Sequence, residues 1–284
     1  MSEFVAAVIQ MRSGRDTGAN IAAAASLIRE AASAGATYVQ TPEMTNLLEK
    51  SRADLFAKIA PEGEDTGVAA FSELAKELGI FLHVGSMAIR TSEAKAANRG
   101  FLFAPDGSLL ARYDKIHMFD VDLPNGESWR ESATYGPGEA AVVVGLPQAL
   151  LGMGICYDIR FPALFRAQAG AGAEILTAPA AFTRQTGEAH WHVLQRARAI
   201  ENGAFVISAA QGGRHEDGRE TYGHSLIVAP WGEVLAEIDH DEPGFALATL
   251  DLSQVAEARR RIPAIANQRE FSIRQTGRET EAAE

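Results

Sequence analysis

The sequence has one cysteine, Cys156, and no apolar run long enough to cross a bilayer. A single cysteine cannot form an internal disulfide, so the chain gives no redox reason to expect secretion. Residues 1–14 lack a basic lead followed by a long apolar core, and their pattern instead favours a strand. These absences predict a cytoplasmic protein without a membrane span.

Positive charge is also scarce. The chain has 26 Lys and Arg against 37 Asp and Glu, which gives a formal net charge of −11. An acidic chain binds nucleic acid or anionic membranes poorly unless its basic residues are concentrated on one face. The run Arg259-Arg260-Arg261 is too short for such a face and fits the solvated end of a helix. We therefore expect neither nucleic acid nor a membrane as a partner.

The 284 residues, 46% of them hydrophobic, are enough to bury a substantial core. No linker or low-complexity stretch divides them, so a single domain over residues 1–284 is the simplest interpretation. Short apolar runs rich in β-formers alternate with alanine-rich helical stretches, which is typical of an α/β protein with helices on its sheet faces. The predicted strands are Phe4–Gln10, Thr37–Thr41, Ile80–Met87, Leu150–Cys156, Ile175–Ala178, Ala204–Ala210 and Tyr222–Val228. The predicted helices are Thr17–Ser33, Thr66–Leu78, Pro162–Ala169, Glu188–Glu201 and Ser253–Arg260.

Two segments resemble each other. Phe101–Asp114 and Leu226–Asp239 each contain a strand, an Ala-Pro-x-Gly turn and a second strand, so both are predicted hairpins. Each follows α/β units, which favours two similar halves whose sheets pack face to face with helices outside. The alternative is that two ordinary hairpins share a common turn.

The only cysteine lies at a predicted strand-to-helix turn. The segment Gly154-Ile155-Cys156-Tyr157-Asp158 follows an apolar strand, and Pro162 suits the first turn of a helix. Such a turn exposes a nucleophile, and its backbone N–H groups can hold an oxyanion. The alternative is a buried structural cysteine, which is a common fate of a lone thiol.

Two charged side chains also lie at predicted strand ends. Glu43 follows the strand Thr37–Thr41, and Lys115 ends a strand that begins at Leu109. Ends of neighbouring strands converge at one edge of an α/β sheet, where ligand sites gather. With Cys156, these residues would supply a base, a fixed positive charge and a nucleophile. Either charge alone is more often a surface group, so the hypothesis depends on the combination.

The remaining signals are weaker. His190 and His192 lie two residues apart on a predicted helix and therefore point in different directions, which excludes a shared metal. His117 and His224 are better explained as residues that orient nearby loops. The sequence has neither a phosphate-binding Gly-Lys-Ser/Thr loop nor a G-x-S-x-G motif. We expect no cofactor and no metal.

Three blocks resemble the signature motifs of the nitrilase superfamily, in the expected order. They are Thr-Pro-Glu at 41–43, Asp-Lys-Ile-His at 114–117 and Gly-Ile-Cys-Tyr-Asp-Ile-Arg-Phe-Pro at 154–162. Further matches are Phe182-Thr183, Thr186-Gly187, Ala189-His190-Trp191, residues 196–201, Tyr222-Gly223-His224-Ser225, residues 228–232 and Arg261-Ile262-Pro263. The resemblance therefore extends over essentially the whole chain.

This resemblance implies a four-layer α-β-β-α sandwich that forms a homodimer through its helical layer. It implies that Cys156 attacks an amide carbonyl while Glu43 accepts the thiol proton, and that Lys115 and the Tyr157 N–H stabilise the oxyanion. A thioester follows, and water hydrolyses it. The family also has a second glutamate, for which Glu131 matches better than Glu127 or Glu139.

The resemblance also bears on the substrate. Arg160 would grip a substrate carboxylate, unless it is a helix-start arginine paired with Asp158 or Glu174, and Phe182 and Thr186 match positions that line the acyl pocket. Residues 209–216 and 222–225 most resemble the branch that hydrolyses deaminated glutathione. The rival is omega-amidase, which acts on α-ketoglutaramate. The same motifs are also compatible with nitrile hydrolysis, with N-carbamoyl hydrolysis, and with a catalytically silent protein that binds small carboxylates.

Overall fold

The computed structural model describes residues 4–124 and 126–276. Its helices are α1 (Thr17–Ser33), α2 (Arg52–Lys58), α3 (Thr66–Leu78), α4 (Pro162–Gly170), α5 (Arg184–Asn202) and α6 (Ser253–Arg261). The predictions for α1 and α3 are confirmed to the residue, because both helices have strong local start signals. The Asp16 side chain accepts from Ala19 N–H, and the Asp65 side chain accepts from Gly67 and Val68 N–H.

The strands alternate with these helices along the chain. They are β1 (Phe4–Gln10), β2 (Tyr38–Gln40), β3 (Phe81–Arg90), β4 (Ala96–Phe103), β5 (Leu109–Asp114), β6 (Asp120–Asp122), β7 (Ser128–Arg130) and β8 (Val142–Gly145). The second half contains β9 (Leu150–Met153), β10 (Ile175–Thr177), β11 (Phe205–Ser208), β12 (Gly212–Arg214), β13 (Glu220–Tyr222), β14 (Leu226–Val228), β15 (Val234–Glu237) and β16 (Gly244–Leu250).

The strands of the described residues form two six-stranded sheets and two small two-stranded ones. The first large sheet has the order β16-β1-β2-β3-β4-β5 and the second has the order β15-β14-β11-β10-β9-β8. In each, three parallel strands continue into an antiparallel hairpin on one side and pair with an antiparallel strand on the other. The two hairpins that resemble each other in sequence, β4–β5 and β14–β15, occupy corresponding edges. The expectation of two similar halves is therefore confirmed.

The two sheets pack face to face with helices outside. One hydrophobic cluster joins Val8 and Tyr38 of the first sheet to Leu151, Ile175 and Val206 of the second. A second cluster joins the outer face of the first sheet to α1 and α3, while α4 and α5 cover the second sheet. This arrangement is the predicted α-β-β-α sandwich. Within the described residues, no helix has the length and apolar character needed to span a membrane.

Three predicted elements need correction. The strand predicted to reach Cys156 ends at Met153, and Cys156 begins a single helical turn that runs to Arg160. The predicted strand Tyr222–Val228 is two strands, because Gly223 and His224 have φ angles of 71° and 58° and reverse the chain between them.

The helix predicted over Glu188–Glu201 instead begins at Arg184. Sequence patterns treat Gly187 as a helix breaker, but here the glycine has a packing role. A Cβ atom at position 187 would lie 2.3 Å from the Tyr222 Cβ, so only glycine lets α5 approach β13. The short helix α2 was not predicted. Its Ser51 cap accepts from Asp54 N–H, but its seven residues give too little periodicity to detect.

Candidate active site

Cys156 occupies a strained turn just beyond β9. Its φ angle is 48°, a conformation that few residues other than glycine adopt. Its N–H donates to the Pro179 carbonyl at 2.9 Å, and the next turn is closed by Asp158 N–H to Ile155 O at 3.0 Å. The strain is therefore maintained by hydrogen bonds on both sides of the cysteine.

The buried carboxylate of Asp158 anchors the same turn. It accepts from Ile155 N–H at 2.9 Å, from the Tyr113 hydroxyl at 2.7 Å and from His117 N–H at 3.0 Å. The His117 ring also contacts Asp158 through Nδ1 at 2.7 Å and stacks on Phe161 with ring centroids 3.5 Å apart. The segment after β5, which carries Lys115, is thus joined to the segment that carries Cys156. These contacts fit the expectation that His117 orients a loop.

Glu43 lies in a buried loop that follows β2. Thr45 Oγ1 donates to the Pro42 carbonyl at 2.7 Å and holds the loop in place. At Gly85 of β3, a Cβ atom would lie 2.1 Å from the Thr41 carbonyl oxygen, so the loop needs a glycine beside it. The Glu43 Oε2 accepts from Ala181 N–H at 2.8 Å, which ties this residue of the first half to the second.

Lys115 contacts two carboxylates. Its Nζ lies 3.0 Å from Glu43 Oε1 and 2.8 Å and 3.1 Å from the two oxygens of Glu131. Asn98 donates from one Nδ2 to both carboxylates, at 2.8 Å to Glu43 and 3.0 Å to Glu131. Phe119 N–H completes the shell of Glu131 at 2.7 Å. The three charged groups and Asn98 therefore form one buried array.

The position of Glu131 distinguishes it from the two glutamates that compete with it in sequence. Glu131 is bonded to Lys115 through both carboxylate oxygens, whereas Glu127 and Glu139 are both exposed. The sequence motif that favoured Glu131 and the contacts of the structure thus point to the same residue.

Burial and neighbouring charges have opposite effects on the pKa values of Glu43 and Lys115. Burial by itself would raise the pKa of Glu43, but Lys115, the Cys156 thiol and Asn98 hold it below its usual range. Burial would lower the pKa of Lys115, but Glu131 and Glu43 hold it well above its usual range. For Cys156, burial and then Glu43 raise the pKa of the thiol well above its usual value. The resting site therefore holds a neutral thiol beside an ammonium and the Glu43 carboxylate.

These groups lie in a cavity of about 550 Å³. Glu43, Lys115, Glu131 and Cys156 form its buried inner end. We call the exposed side the mouth, and define it by Lys50, Trp129, Arg219 and Glu220. The wall between them includes Leu47, Phe119, Tyr135, Tyr157, Ala181, Phe182, Thr183 and Thr186.

The predicted substrate-binding residues differ in their relation to this cavity. Phe182 and Thr186 line it, and the Thr186 hydroxyl lies 2.8 Å from that of Thr183. Arg160 is not among the lining residues. Both its Nη atoms lie 3.3 Å from His190 Nδ1, and its guanidinium lies 5.2 Å from the centre of the Phe182 ring.

The competing interpretation of Arg160 was an ion pair with Asp158 or Glu174, and the described residues contain no such pair. Burial lowers the pKa of this guanidinium, and nothing in the described part of the chain neutralises its charge. An arginine next to a cavity-lining phenylalanine is therefore available to an anionic ligand.

Several site residues were missed by the sequence analysis. Asn98 gives one weak signal, as a polar residue in the middle of a strand that is otherwise mostly apolar. The Ala181 N–H has no side-chain signal at all. Three of the four mouth residues, Lys50, Trp129 and Arg219, resemble ordinary surface residues in sequence. No group of three or more His, Cys, Asp or Glu among the described residues is arranged to hold a metal ion.

A four-layer sandwich with a glutamate, a lysine and a cysteine in contact beyond its strand ends is the architecture of a nitrilase-type hydrolase. Residues 5–260 match the model of the carbon–nitrogen hydrolases, and the chain belongs to this family. It is therefore a hydrolase of carbon–nitrogen bonds other than peptide bonds.

Known proteins resemble the chain over most of its length. It is 38% identical over 269 residues to omega-amidase NIT2 of Homo sapiens, covering 95% of this chain and 96% of that protein. It is 43% identical over 235 residues to the deaminated glutathione amidase of Yersinia enterocolitica, covering 81% of each. The crystal structure of Saccharomyces cerevisiae Nit3, a member of the nitrilase superfamily, superposes with a TM-score of 0.84 at 30% identity, covering 95% of this chain and 97% of that one.

Proposed function

We propose that the protein is an amidase that cleaves a small linear amide through a thioester on Cys156. The proposal rests on one observation. At the inner end of the cavity, Lys115 Nζ contacts both Glu43 and Glu131 beside the only thiol of the chain. A base, an ammonium and a nucleophile within one water-poor volume are what acyl transfer from nitrogen to sulfur requires.

In the first half-reaction, Cys156 Sγ bonds to the amide carbon while its proton moves to Glu43. The negative charge that develops on the carbonyl oxygen is stabilised by Lys115 Nζ and the Tyr157 N–H. The N–H groups of Cys156 and Asp158 on either side are bonded to Pro179 and Ile155, whereas the Tyr157 N–H has no acceptor among the described residues and can serve the substrate. Glu43 then gives its proton to the amine nitrogen, the C–N bond breaks, and the acyl group remains as a thioester.

In the second half-reaction, Glu43 takes a proton from water and the resulting hydroxide attacks the thioester carbon. The C–S bond breaks, the carboxylic acid leaves, and the thiol regains the proton from Glu43. In this scheme Glu131 does not touch the substrate. It is a positioning residue that fixes Lys115 and balances its charge, so that Lys115 stays protonated while Glu43 gains and loses a proton.

For the substrate we favour deaminated glutathione over α-ketoglutaramate. Proteins named for either activity are similar to this chain, and both substrates carry a carboxylate on the acyl side that Arg160, with Phe182 and Thr186, would bind. A volume of about 550 Å³ suits a drug-sized ligand and exceeds what a small primary amide fills. The larger substrate therefore fits the cavity better.

Kinetics with four substrates test this choice. We expect kcat/KM to be highest for deaminated glutathione, lower for α-ketoglutaramate, and lowest for a nitrile and an N-carbamoyl amino acid. A higher value for α-ketoglutaramate would reassign the chain to omega-amidase activity.

The chemistry is tested by Cys156→Ala, which should abolish turnover while the thermal unfolding curve stays two-state. Rapid quenching of the wild-type enzyme should yield an acyl adduct on Cys156 by mass spectrometry. Retained turnover by Cys156→Ala contradicts the proposed nucleophile. If no substrate is turned over and no adduct forms, the protein is instead a silent binding protein. A thiol nucleophile must stay reduced, which supports a cytoplasmic location.

The proposal includes a homodimer that forms through the helical layer. Helix α5 leaves Val193 and Ile200 exposed, at 69% and 51%, and Ile200 packs beside Gly232 next to the half-exposed Trp231. Contiguous apolar surface of this kind marks protein contacts. Sedimentation equilibrium should give twice the chain mass, and Ile200→Asp should give the single chain mass. A wild-type protein that remains monomeric at micromolar concentration contradicts the dimer.

A further inference from the structure

The mouth of the cavity holds two cations beside one indole ring. The Lys50 ammonium lies 5.6 Å from the centre of the Trp129 ring, and the Arg219 guanidinium lies 5.0 Å from it. Cations within about 6 Å of an indole are attracted to its face. None of the three residues contributes to the chemistry proposed for the inner end.

Arg219 is held in place and still has hydrogen-bonding capacity. Its Nε donates to Asp217 Oδ2 at 3.0 Å, and its own N–H donates to Asp217 Oδ1 at 3.0 Å. The Asp217 side chain is 2% exposed and the Arg219 side chain 18%. Within residues 4–124 and 126–276, neither Nη atom of Arg219 has an acceptor. A planar guanidinium fixed at Nε presents these two Nη atoms to a ligand.

Lys50 has no carboxylate partner in the described part of the chain. The adjacent carboxylate of Glu49 is already bonded to Arg15 at 2.7 Å and Lys58 at 2.9 Å. Arg130, another cation of the cavity wall, already uses both Nη atoms, on the Asp122 carboxylate and on the carbonyls of Val121 and Trp129. Lys50 and Arg219 are therefore the cavity cations that remain for a ligand.

An aromatic wall leads from the nucleophile to this pair. The Tyr157 ring lies 5.1 Å from that of Phe119, and Phe119 lies 6.3 Å from Trp129. Tyr135 lies between the two ends. Burial raises the pKa of its phenol, and the charges of Glu131, Arg219 and Glu43 also act on this group. A ligand whose amide sits on Cys156 can thus extend along this wall to the mouth.

We propose that Lys50 and Arg219 bind a carboxylate carried by the amine half of the substrate, which rests on the proposed amidase function. The class of substrate is an N-substituted amide whose leaving amine is an amino acid or a short peptide. Because Arg160 and Phe182 are assigned to the acyl half, the mouth is left for the amine half. Glu127 and Glu220 also line the cavity near the mouth, and their charge would favour a cationic amine half instead. The test must therefore distinguish an anionic from a cationic amine half.

Three substrates with one glutaryl group separate these possibilities: the primary amide, the alanylglycine amide with a free C-terminus, and the same compound with a C-terminal carboxamide. For Arg219→Met we expect KM to rise about tenfold for the free carboxylate, with kcat unchanged, because one charge-assisted contact is lost. KM for the other two substrates should change less than about twofold. Lys50→Met should act in the same direction, and Glu220→Gln should lower KM for the free carboxylate.

The matched control is Arg214→Met, an exposed arginine outside the cavity, which should leave all three KM values unchanged. Arg219→Lys should recover part of the loss, which separates the charge from a folding defect. Equal KM values for the two dipeptide substrates in the wild type, or a higher KM for the carboxylate after Glu220→Gln, overturn the subsite.

The outcome is distinguishable from a failure of the proposed function. If the wild type cleaves the primary amide but shows no preference for the free carboxylate, only the subsite is wrong. If no amide is cleaved, the amidase proposal fails. The subsite is then tested by measuring ligand binding by calorimetry. Cys156→Ala should then bind the glutaryl dipeptide about tenfold more tightly than its carboxamide, and equal binding contradicts the subsite.

Discussion

The inner end of the cavity and its mouth hold charged side chains in two different ways. At the inner end, Glu43, Lys115 and Glu131 have side chains that are 6%, 2% and 12% exposed, and each is bonded to at least two partners. At the mouth, Lys50 and Glu220 are exposed and have no ion pair within the described residues. The inner charges are fixed by the fold, whereas Lys50, Glu220 and the two Nη atoms of Arg219 at the mouth are available to a ligand.

This difference separates chemistry from recognition. Bond exchange on the amide carbon needs the same geometry for every substrate, and buried, mutually bonded groups supply it without reorganisation. Recognition of the amine half varies with the substrate, and half-exposed cations on an aromatic wall suit that task. Substitutions at the inner end should therefore lower kcat for all substrates, while those at the mouth should change KM for some.

The largest effect should come from Lys115→Met. The substitution removes an oxyanion donor and leaves two buried carboxylates without their cation, so we expect kcat to fall about 1,000-fold or more for every amide. Stopped assays with a primary and an N-substituted amide measure it. A decrease in kcat for only one of the two substrates would contradict the distinction between the inner end and the mouth of the cavity. Because the unpaired carboxylates also destabilise the fold, thermal unfolding should be recorded alongside.

A smaller decrease is expected for Glu131→Gln. The amide keeps the shape but removes one charge beside Lys115, which should lower kcat roughly 10-fold to 100-fold with little change in KM. Glu139→Gln is the matched control, since that residue is exposed, and it should retain wild-type kcat. Equal kcat values for the two variants would show that Glu131 does not position Lys115.

The pH profile offers a third comparison. Because the folded pKa of Glu43 is below its ordinary value, the carboxylate persists as the pH falls through about 4.5, and activity should decline only at lower pH. The raised pKa values of Lys115 and Cys156 keep both groups protonated near neutrality. We expect kcat for a primary amide to be flat between about pH 5 and 8. An inflection near pH 6.5 would indicate a histidine in the reaction instead.

Local sequence signals predicted the fold where they were strong. The helices predicted to begin at Thr17 and Thr66 do begin there, each capped by the aspartate before it, and two similar hairpins indicated the duplicated sheets. The errors came from residues with a tertiary role. Gly187 lies inside α5, before the predicted start at Glu188, because it packs against Tyr222, a contact that the sequence does not show. The reversal at Gly223-His224 interrupts a run that otherwise looks like one strand.

The inner end of the site was predictable because its residues follow strands. Glu43, Lys115 and Cys156 are chemically distinctive groups at the ends of apolar runs, and the contacts of Glu131 agree with its motif position. The mouth was not predictable. Lys50, Trp129 and Arg219 come from three separate loops or strands, and their convergence depends on how the β6–β7 and β12–β13 hairpins fold over the cavity. Arg160 was expected to bind a substrate carboxylate; it is not among the lining residues, and its guanidinium lies 5.2 Å from the centre of the ring of Phe182, which does line the cavity.

The smallest effect on catalysis should come from Glu49→Gln, at the wall beside Lys50. Glu49 lies in the cavity wall but is bonded to Arg15, Lys58 and Ser51 N–H, which hold its pKa at about 2 against the opposing effect of burial. We expect kcat to stay within about twofold of the wild type, because none of these contacts reaches Lys115. A large loss of kcat would mean that the mouth and the inner end are not separable.

The same variant should instead lose stability in a pH-dependent way. A carboxyl group whose folded pKa is below its unfolded value stabilises the fold above about pH 4.5, and this contribution disappears as the pH falls towards 2. The unfolding free energy of Glu49→Gln should therefore be about 2 kcal/mol below that of the wild type at pH 7, with the difference shrinking below pH 4.5. Urea titrations at pH 7, 4.5 and 3.5 measure it. Glu64→Gln, an exposed residue without an ion pair in the described part of the chain, should cost less than about 0.5 kcal/mol. A constant difference across the three pH values would mean that Glu49 stabilises the fold through packing. The ion pairs of Glu49 would then not explain why Lys50 has no carboxylate partner among the described residues.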